Sequence, residues 1–294
     1  MPATPSIPHR NRLAGLLLIG ITALVILRAW FPDSWAGSAA SILVVTLLLL
    51  FAFQVRLSRL AFILVGTLLS IISFFTLADW QTSIAHALGT TAFIAAFFTA
   101  LSTLRNAAGT SQAIVRCSRF LSQQPPGRRY AALTVGGQLF ALLLNYGAIT
   151  LLGSLATADA RHESNVEIRN HRIRRMLLAI QRGFLATLPW SPLSFAVAIS
   201  TAVIPGASLA EGFLPCLVNG VVIAGTGWLL DTLFKPRLSS PAPPRGKFTD
   251  TWFSVTPLLL LLALLAVVVG SLYLATGMRI VFLVLLSVPL IALG

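Results

Sequence analysis

Long apolar runs, separated by short segments that carry nearly all the charge, constrain this sequence more than any other feature. A helix needs about 20 apolar residues to cross a hydrocarbon layer of roughly 30 Å. The first part of the chain has four runs close to that length, 13–30, 39–53, 60–77 and 84–104. The chain is 56% hydrophobic and 10% charged, unlike an ordinary soluble domain. We therefore predict an all-α polytopic membrane protein.

The charges between the runs predict how the chain is oriented. Basic residues precede the first run and follow the second and fourth, whereas an aspartate follows the first and third; they are Arg10, Arg12, Arg56, Arg59, Arg105, Asp33 and Asp79. Cytoplasmic loops favour Lys and Arg, so we expect a cytoplasmic N-terminus in a multi-pass protein of a bacterial-type inner membrane. Because topology accounts for the net charge of +13, we expect the bilayer, and no nucleic acid, as the partner of the basic segments.

The apolar run 130–156 has arginines on both flanks. Arg128 and Arg129 precede it, and five more arginines follow between residues 161 and 175. If the run crossed the membrane, those five would lie outside, against the usual bias. We therefore predict a re-entrant hairpin whose tip lies at Asn145, Tyr146 and Gly147. Just before it, apolar residues at helical spacing over 113–121 predict a short helix on the inner membrane surface.

Prolines break the next run, 176–201. Pro189 and Pro192 each remove a backbone donor and disfavour helix in the residue before them, so we predict two half-helices, the second beginning near Ser191. Run 213–234 then returns inside, and the polar segment 235–250, with four prolines, predicts a cytoplasmic linker.

The whole pattern predicts about eight spans and one re-entrant hairpin. We expect scaffold spans over 1–104, a transport element over 105–234, the linker over 235–250 and the start of a second repeat over 251–294. The last run, 280–294, ends without a flanking charge. We therefore expect the natural chain to continue beyond it.

The two breaks supply candidate ligands for a small anion, because broken helices expose backbone groups and the N-terminal end of a half-helix attracts negative charge. The predicted substrate-binding residues are Asn145, Tyr146, Gly147, Arg182, Thr187, Trp190, Ser191 and Ser194. Blander roles stay open: the prolines only kink a packed span, Arg182 extends to the membrane surface, and Asn145 serves the turn geometry alone.

Enzyme chemistry is disfavoured by the sequence. It has no phosphate-binding glycine loop and no nucleophile beside a base. Its two cysteines, Cys117 and Cys216, form neither a disulfide framework nor a metal-ligand cluster. We expect no metal and no cofactor.

Asp231 is expected to pair with Lys235, four residues later on the same helix face.

This order of parts resembles the ion-transporter superfamily of divalent-anion/sodium symporters, citrate transporters and arsenite-permease-like proteins. The resemblance rests on the four spans and surface helix, on Leu144-Asn145-Tyr146-Gly147 at the hairpin, and on Leu188-Pro189-Trp190-Ser191-Pro192 at the break. It implies an inverted second copy after the linker, as in many transporters, a homodimer, and elevator-type secondary active transport of an organic carboxylate or inorganic oxyanion.

The chain departs from that family at the hairpin tip. Members with sodium sites tend to carry Ser-Asn-Thr there, whereas Leu144 and Tyr146 flank Asn145 in this sequence. Both Na⁺ and H⁺ coupling therefore stay open. The alternative function is a non-transporting membrane scaffold or assembly protein, in which the hairpin is only structural.

Overall fold

The computed structural model describes residues 9–52, 57–161, 163–234 and 252–293, and over these ranges the chain is helical without a strand. The described helices are α1 (His9–Trp30), α2 (Ala36–Ala52), α3 (Leu57–Thr76), α4 (Trp80–Thr110), α5 (Gln112–Ser122), α6 (Pro126–Leu144), α7 (Gly147–Ala160), α8 (Val166–Thr187), α9 (Phe195–Val203), α10 (Leu209–Leu233), α11 (Thr256–Thr276) and α12 (Ile280–Leu293). A 3₁₀ turn, Trp252–Val255, precedes α11. The predicted linker, 235–250, lies outside the described residues.

Four of the described helical stretches are long and apolar enough to cross a membrane: Asn11–Trp30, Trp80–Gly109, Leu209–Leu233 and Trp252–Thr276. Shorter apolar helices occupy Ala36–Ala52, Leu60–Thr76, Gly147–Ala158 and Ile280–Ile291. The chain is a helical membrane protein. The total of eight spans stays a prediction, since the predicted broken span is not among the four and its first helix, α8, carries several arginines.

Exposure along α3 agrees with a membrane setting. Over 60–75 the helix carries apolar and hydroxyl side chains and no charge, and the side chains of Phe62 and Phe75 are each 79% exposed. An uncharged helix that exposes large apolar side chains suits lipid or the inside of a large core. Because no side chain over 60–76 is buried in the protein, lipid is the medium that suits it.

The chain divides into two compact units, residues 1–100 and 101–294. In the first unit α1 and α2 pack against each other. Gly20 lies beside Leu43, and Gly37 lies beside the Arg28 side chain. A later position in α1 thus contacts an earlier position in α2, so the two helices are antiparallel.

Helix α8 is the centre of the second unit, where it packs against α6, α7 and α10. Its N-terminus is capped by Asn165, whose side chain accepts hydrogen bonds from the backbone of Glu167 and Ile168. Such a cap stabilises a helix by about 1 kcal/mol. Along α10, Gly220 lies beside Ala186 and Gly227 beside Arg182, so α10 runs antiparallel to α8.

Helices α6 and α8 cross at a pair of glycines. A Cβ on Gly183 would collide with the carbonyl oxygen of Thr134, and one on Gly137 would lie 2.9 Å from the carbonyl oxygen of Ile180. The backbones therefore touch, a form of contact typical of packed membrane helices. The crossing fixes α6, and with it the predicted hairpin, against α8.

Helix α5 is amphipathic, as the sequence predicts, but its apolar face meets protein. Ile114, Cys117 and Phe120 are buried, while Arg116 and Arg119 are exposed. The buried face packs on α6, α7, α11 and the Trp252–Val255 turn. This face therefore contributes to the core of the second unit, and the placement of α5 at a membrane surface stays a prediction. Burial also raises the pKa of the Cys117 thiol from 9.0 to about 12.

Candidate functional site

The helix break in the predicted hairpin falls at Asn145 and Tyr146. Helix α6 ends at Leu144 and α7 begins at Gly147, and the two helices contact each other. Asn145 has a φ of 50°, a conformation that an L-residue holds at a cost of about 1–3 kcal/mol unless its surroundings fix it. The turn is thus a strained point between two helices, at the position that the sequence predicts.

The second break separates α8 from α9. The non-helical segment runs from Leu188 to Leu193, and Ser194 caps α9 by accepting a hydrogen bond from the backbone of Ala196 at 3.1 Å. The second half-helix therefore begins at Phe195 rather than near Ser191 as predicted. The reason is the 188–193 stretch itself, because two prolines so close together keep the intervening backbone out of the helix.

The two breaks meet in space. The Asn145 side-chain Nδ2 donates a hydrogen bond to the backbone oxygen of Leu193 at 3.0 Å. The Tyr146 ring stacks on Phe195, with ring centroids 5.0 Å apart, and lies equally close to Phe184. Residues 48 positions apart are thereby joined, and the turn is held against the break.

The hydroxyls predicted as ligands mainly form hydrogen bonds with the backbone at the α8–α9 break. Thr187 donates to the Gly183 oxygen at 3.0 Å, and Ser194 donates to the Leu188 oxygen at 2.7 Å. The Ser191 hydroxyl oxygen accepts from the Leu193 backbone at 3.2 Å. Among the described residues no acceptor takes the hydrogen of the Ser191 hydroxyl, so Ser191 alone of the three keeps a donor to offer.

Trp190 faces α10. Its indole donates to the Ala186 oxygen at 2.8 Å, and its ring packs edge-on against Phe213. A Cβ on Gly220 would lie only 2.8 Å from the indole. This packing gives Trp190 a structural role on the α10 side of α8.

Arg182 is also committed to helix packing. Its guanidinium donates to the Tyr130 hydroxyl at 2.5 Å and to the Gly227 oxygen at 2.7 Å, while the Tyr130 hydroxyl donates to the same oxygen at 3.2 Å. This cluster joins α6, α8 and α10. It differs from both roles considered for Arg182 in the sequence, anion binding and extension to the membrane surface.

A second polar link between α8 and α10 was missed in the sequence. Arg175 binds Asp231 through two hydrogen bonds, of 3.0 Å and 2.6 Å. Asp231 was expected to pair with Lys235, which lies outside the described residues. A spacing rule within one helix cannot find a partner 56 residues away.

Two groups at the hairpin turn keep free bonding capacity. The Asn145 Oδ1 is buried and has no hydrogen-bond partner among the described residues. Arg105, near the end of α4, lies against the turn: a Cβ on Gly147 would be 3.0 Å from the Arg105 Cδ. No hydrogen bond or ion pair joins its guanidinium to another described residue.

From the sequence, Arg105 is expected only to set topology, and no local signal links it to a turn 40 residues further on. The fold therefore places a cation and a buried acceptor at the Asn145–Gly147 turn. This arrangement can attract an anion to the arginine and a cation or hydrogen-bond donor to the amide oxygen.

Comparisons of the chain with protein-family models, with curated proteins and with solved structures found no match.

Proposed function

We propose that this protein is a secondary active transporter of a small anion, an organic carboxylate or inorganic oxyanion, with the substrate held between the hairpin turn and the α8–α9 break. The observation that carries the proposal is the contact between two helix breaks through Asn145 and the Leu193 oxygen. In lipid, non-helical backbone is tolerated only inside protein or beside a wet cavity. Two breaks brought together are the form that a mid-membrane solute site takes in many transporters.

Two groups with unused hydrogen-bonding capacity are assigned separately, one to the substrate and one to a coupling ion. The Ser191 hydroxyl has a hydrogen to donate and suits an anion. The buried Asn145 Oδ1 is an acceptor, and oxygen acceptors bind hard cations or hydrogen-bond donors. The proposal therefore assigns the anion to Ser191 and a coupling Na⁺ to Asn145; an amide oxygen is not protonated near neutral pH, so coupling to H⁺ would use another group.

The transport proposal predicts how four variants of the full-length protein behave in liposomes. Ser191→Ala should lower anion uptake, because it removes the free hydroxyl hydrogen, whereas Ser154→Ala should not, since that exposed hydroxyl bonds only to Leu151 of its own helix. Asn145→Ala should abolish coupled uptake. Asn145→Gly loses the bond to Leu193 but suits the φ of 50° at the turn, so it should lose less thermal stability than Asn145→Ala while also losing uptake.

Comparing Asn145→Ala with Asn145→Gly separates the role of the asparagine in turn geometry from its role in transport. Uptake would be followed with radiolabelled succinate, citrate, sulfate and phosphate, under an inward Na⁺ gradient and then an inward H⁺ gradient. If Asn145→Gly transports like the unchanged protein, the asparagine serves only the turn. If Ser191→Ala also leaves every flux unchanged, the site is wrong and the scaffold function gains support.

The re-entrant hairpin is a separate part of the proposal and predicts a labelling pattern. Single cysteines would replace Arg128, in the first turn of α6, or Asn170, in α8, with Cys216→Ala as background. The buried Cys117, whose thiol pKa is raised to about 12, is expected not to react. On intact spheroplasts a membrane-impermeant maleimide should label neither site. Both should react after permeabilisation.

A cysteine at Ser208, in the loop proposed to lie outside, is the matched control and should react on intact spheroplasts. Ser208 is exposed and its hydroxyl caps nothing. Labelling of Asn170→Cys but not Arg128→Cys from outside would mean that 130–156 crosses the membrane. The hairpin would then be an ordinary span with a kink.

A further inference from the structure

Two arginines of the second unit, Arg105 and Arg182, have different surroundings. Arg182 gives its guanidinium to the Tyr130 hydroxyl and the Gly227 oxygen. Arg105 makes no hydrogen bond or ion pair with the described residues, is exposed, and rests its aliphatic chain on Gly147 at the hairpin turn. Of the two, Arg105 is the one whose guanidinium is held by no other described residue.

We infer that Arg105 is the anion-selecting residue of this protein: its guanidinium binds the carboxylate or oxyanion group of the substrate at the Asn145–Gly147 turn. The inference rests on the proposed transport function and deepens it. In the proposed hairpin Arg105 lies at the depth of the turn, because the arginine packs directly against Gly147; this replaces the cytoplasmic loop position that the charge pattern predicts for it. A charged side chain in that setting is costly and is found where it meets a partner or lines a wet pathway.

The shape of the guanidinium adds a selectivity that the other groups lack. It presents paired N–H donors that match the two oxygens of a carboxylate or of an oxyanion. The Ser191 hydroxyl offers a single hydrogen to any acceptor. Arg105 therefore distinguishes planar or tetrahedral oxyanions from monatomic anions such as chloride.

Because Gly147 has no side chain, it leaves the space that the Arg105 side chain occupies. A Cβ there would approach the Arg105 Cδ to 3.0 Å and its Cγ to 3.2 Å. Gly147→Ala should displace the arginine by a few tenths of an ångström without removing it. The glycine is thus a positioning residue for the arginine, in addition to any role in the turn.

The test measures anion binding apart from transport. Purified full-length protein would be heated in detergent with succinate, citrate, sulfate or phosphate, and unfolding followed by tryptophan fluorescence, since a bound ligand raises the unfolding temperature. At least one of these anions should raise it in the unchanged protein, and chloride should not. In Arg105→Gln the apparent affinity should fall about 10- to 100-fold, as expected for loss of a charged hydrogen bond.

Arg116→Gln is the matched control, because Arg116 is an exposed arginine on the neighbouring helix α5 and should keep full affinity. Arg105→Lys should bind more weakly than the unchanged protein but better than Arg105→Gln, and Gly147→Ala should lower affinity less than Arg105→Gln. Unchanged affinity in Arg105→Gln overturns the inference. If none of the four anions stabilises the unchanged protein and none is taken up, the proposed transport function fails first.

A chemical rescue keeps the inference testable should the glutamine variant fold poorly. Arg105→Cys, with Cys216→Ala, would be folded and then treated with 2-aminoethyl methanethiosulfonate, which adds a positive group, or with the negative sulfonatoethyl reagent. Anion uptake should rise only with the positive group. Equal effects of the two reagents would show that the side chain acts by its bulk and would overturn the inference.

Discussion

Gly183→Ala should strongly destabilise the second unit, although alanine is the better helix former. The added methyl group would run into the Thr134 oxygen and lie 3.1 Å from the backbone of Gln138. Both obstacles belong to the backbone of α6, which moves only if the whole helix shifts. Overpacking of a fitted contact costs typically about 1–3 kcal/mol, and more where nothing flexible can yield. The unfolding temperature of the purified protein in detergent should fall accordingly.

Gly225→Ala is the matched control for this prediction. Gly225 lies in the adjacent helix α10, and nothing is within 4 Å of the position its Cβ would take. The substitution should leave stability unchanged or raise it by a few tenths of a kcal/mol, because alanine loses less conformational freedom in a helix than glycine does. If both variants unfold at the same temperature, α6 and α8 do not cross as closely as described.

The helix breaks are the part of this fold that the sequence predicts best, and the reason is local chemistry. Asn145 and Gly147 interrupt an apolar run, and asparagine tolerates the positive φ found there better than most residues. Pro189 and Pro192 cannot sit inside a helix without loss of hydrogen bonds. Each signal lies within a few residues of its effect, so no knowledge of the tertiary structure is needed.

The contacts that define the candidate site are not local, and this is why the sequence misses them. Arg105 meets Gly147 at the hairpin turn only in the tertiary structure, whereas in the sequence an arginine after an apolar run indicates topology. Likewise Arg182 is of a residue type that binds anions, and only the placement of Tyr130 and Gly227 shows that its guanidinium donates hydrogen bonds to the protein. The fold therefore moves the proposed anion ligand from Arg182 to Arg105.

The start of α9 shows the same limit on a smaller scale. Pro192 predicts that a helix resumes nearby, but not which residue caps it. Ser194 does so because its hydroxyl is held between the Leu188 oxygen and the Ala196 backbone. That geometry depends on the path of residues 188–193, which composition alone does not determine.

Asp231→Asn should destabilise the packing of α8 on α10 by about 1–3 kcal/mol. Loss of one partner from a buried ion pair costs about 3–5 kcal/mol, because the remaining charge stays without compensation. Here the Asp231 side chain is 11% exposed but that of Arg175 is 32% exposed, so water screens part of the effect. Asp33→Asn, at an exposed aspartate of the first unit, should have almost no effect on the unfolding temperature.

Exchanging the two charges tests whether the pair acts through its interaction or through each residue alone. Arg175→Asp and Asp231→Arg should each lower the unfolding temperature, whereas the two changes together should recover part of the loss, because the same two hydrogen bonds can form in reverse. A double-mutant cycle isolates that coupling. If the exchanged pair is less stable than the sum of its single changes predicts, Asp231 is held in place by something other than Arg175. An aspartate within an apolar helix would then become a candidate for ion coupling, which the Arg175 contact otherwise argues against.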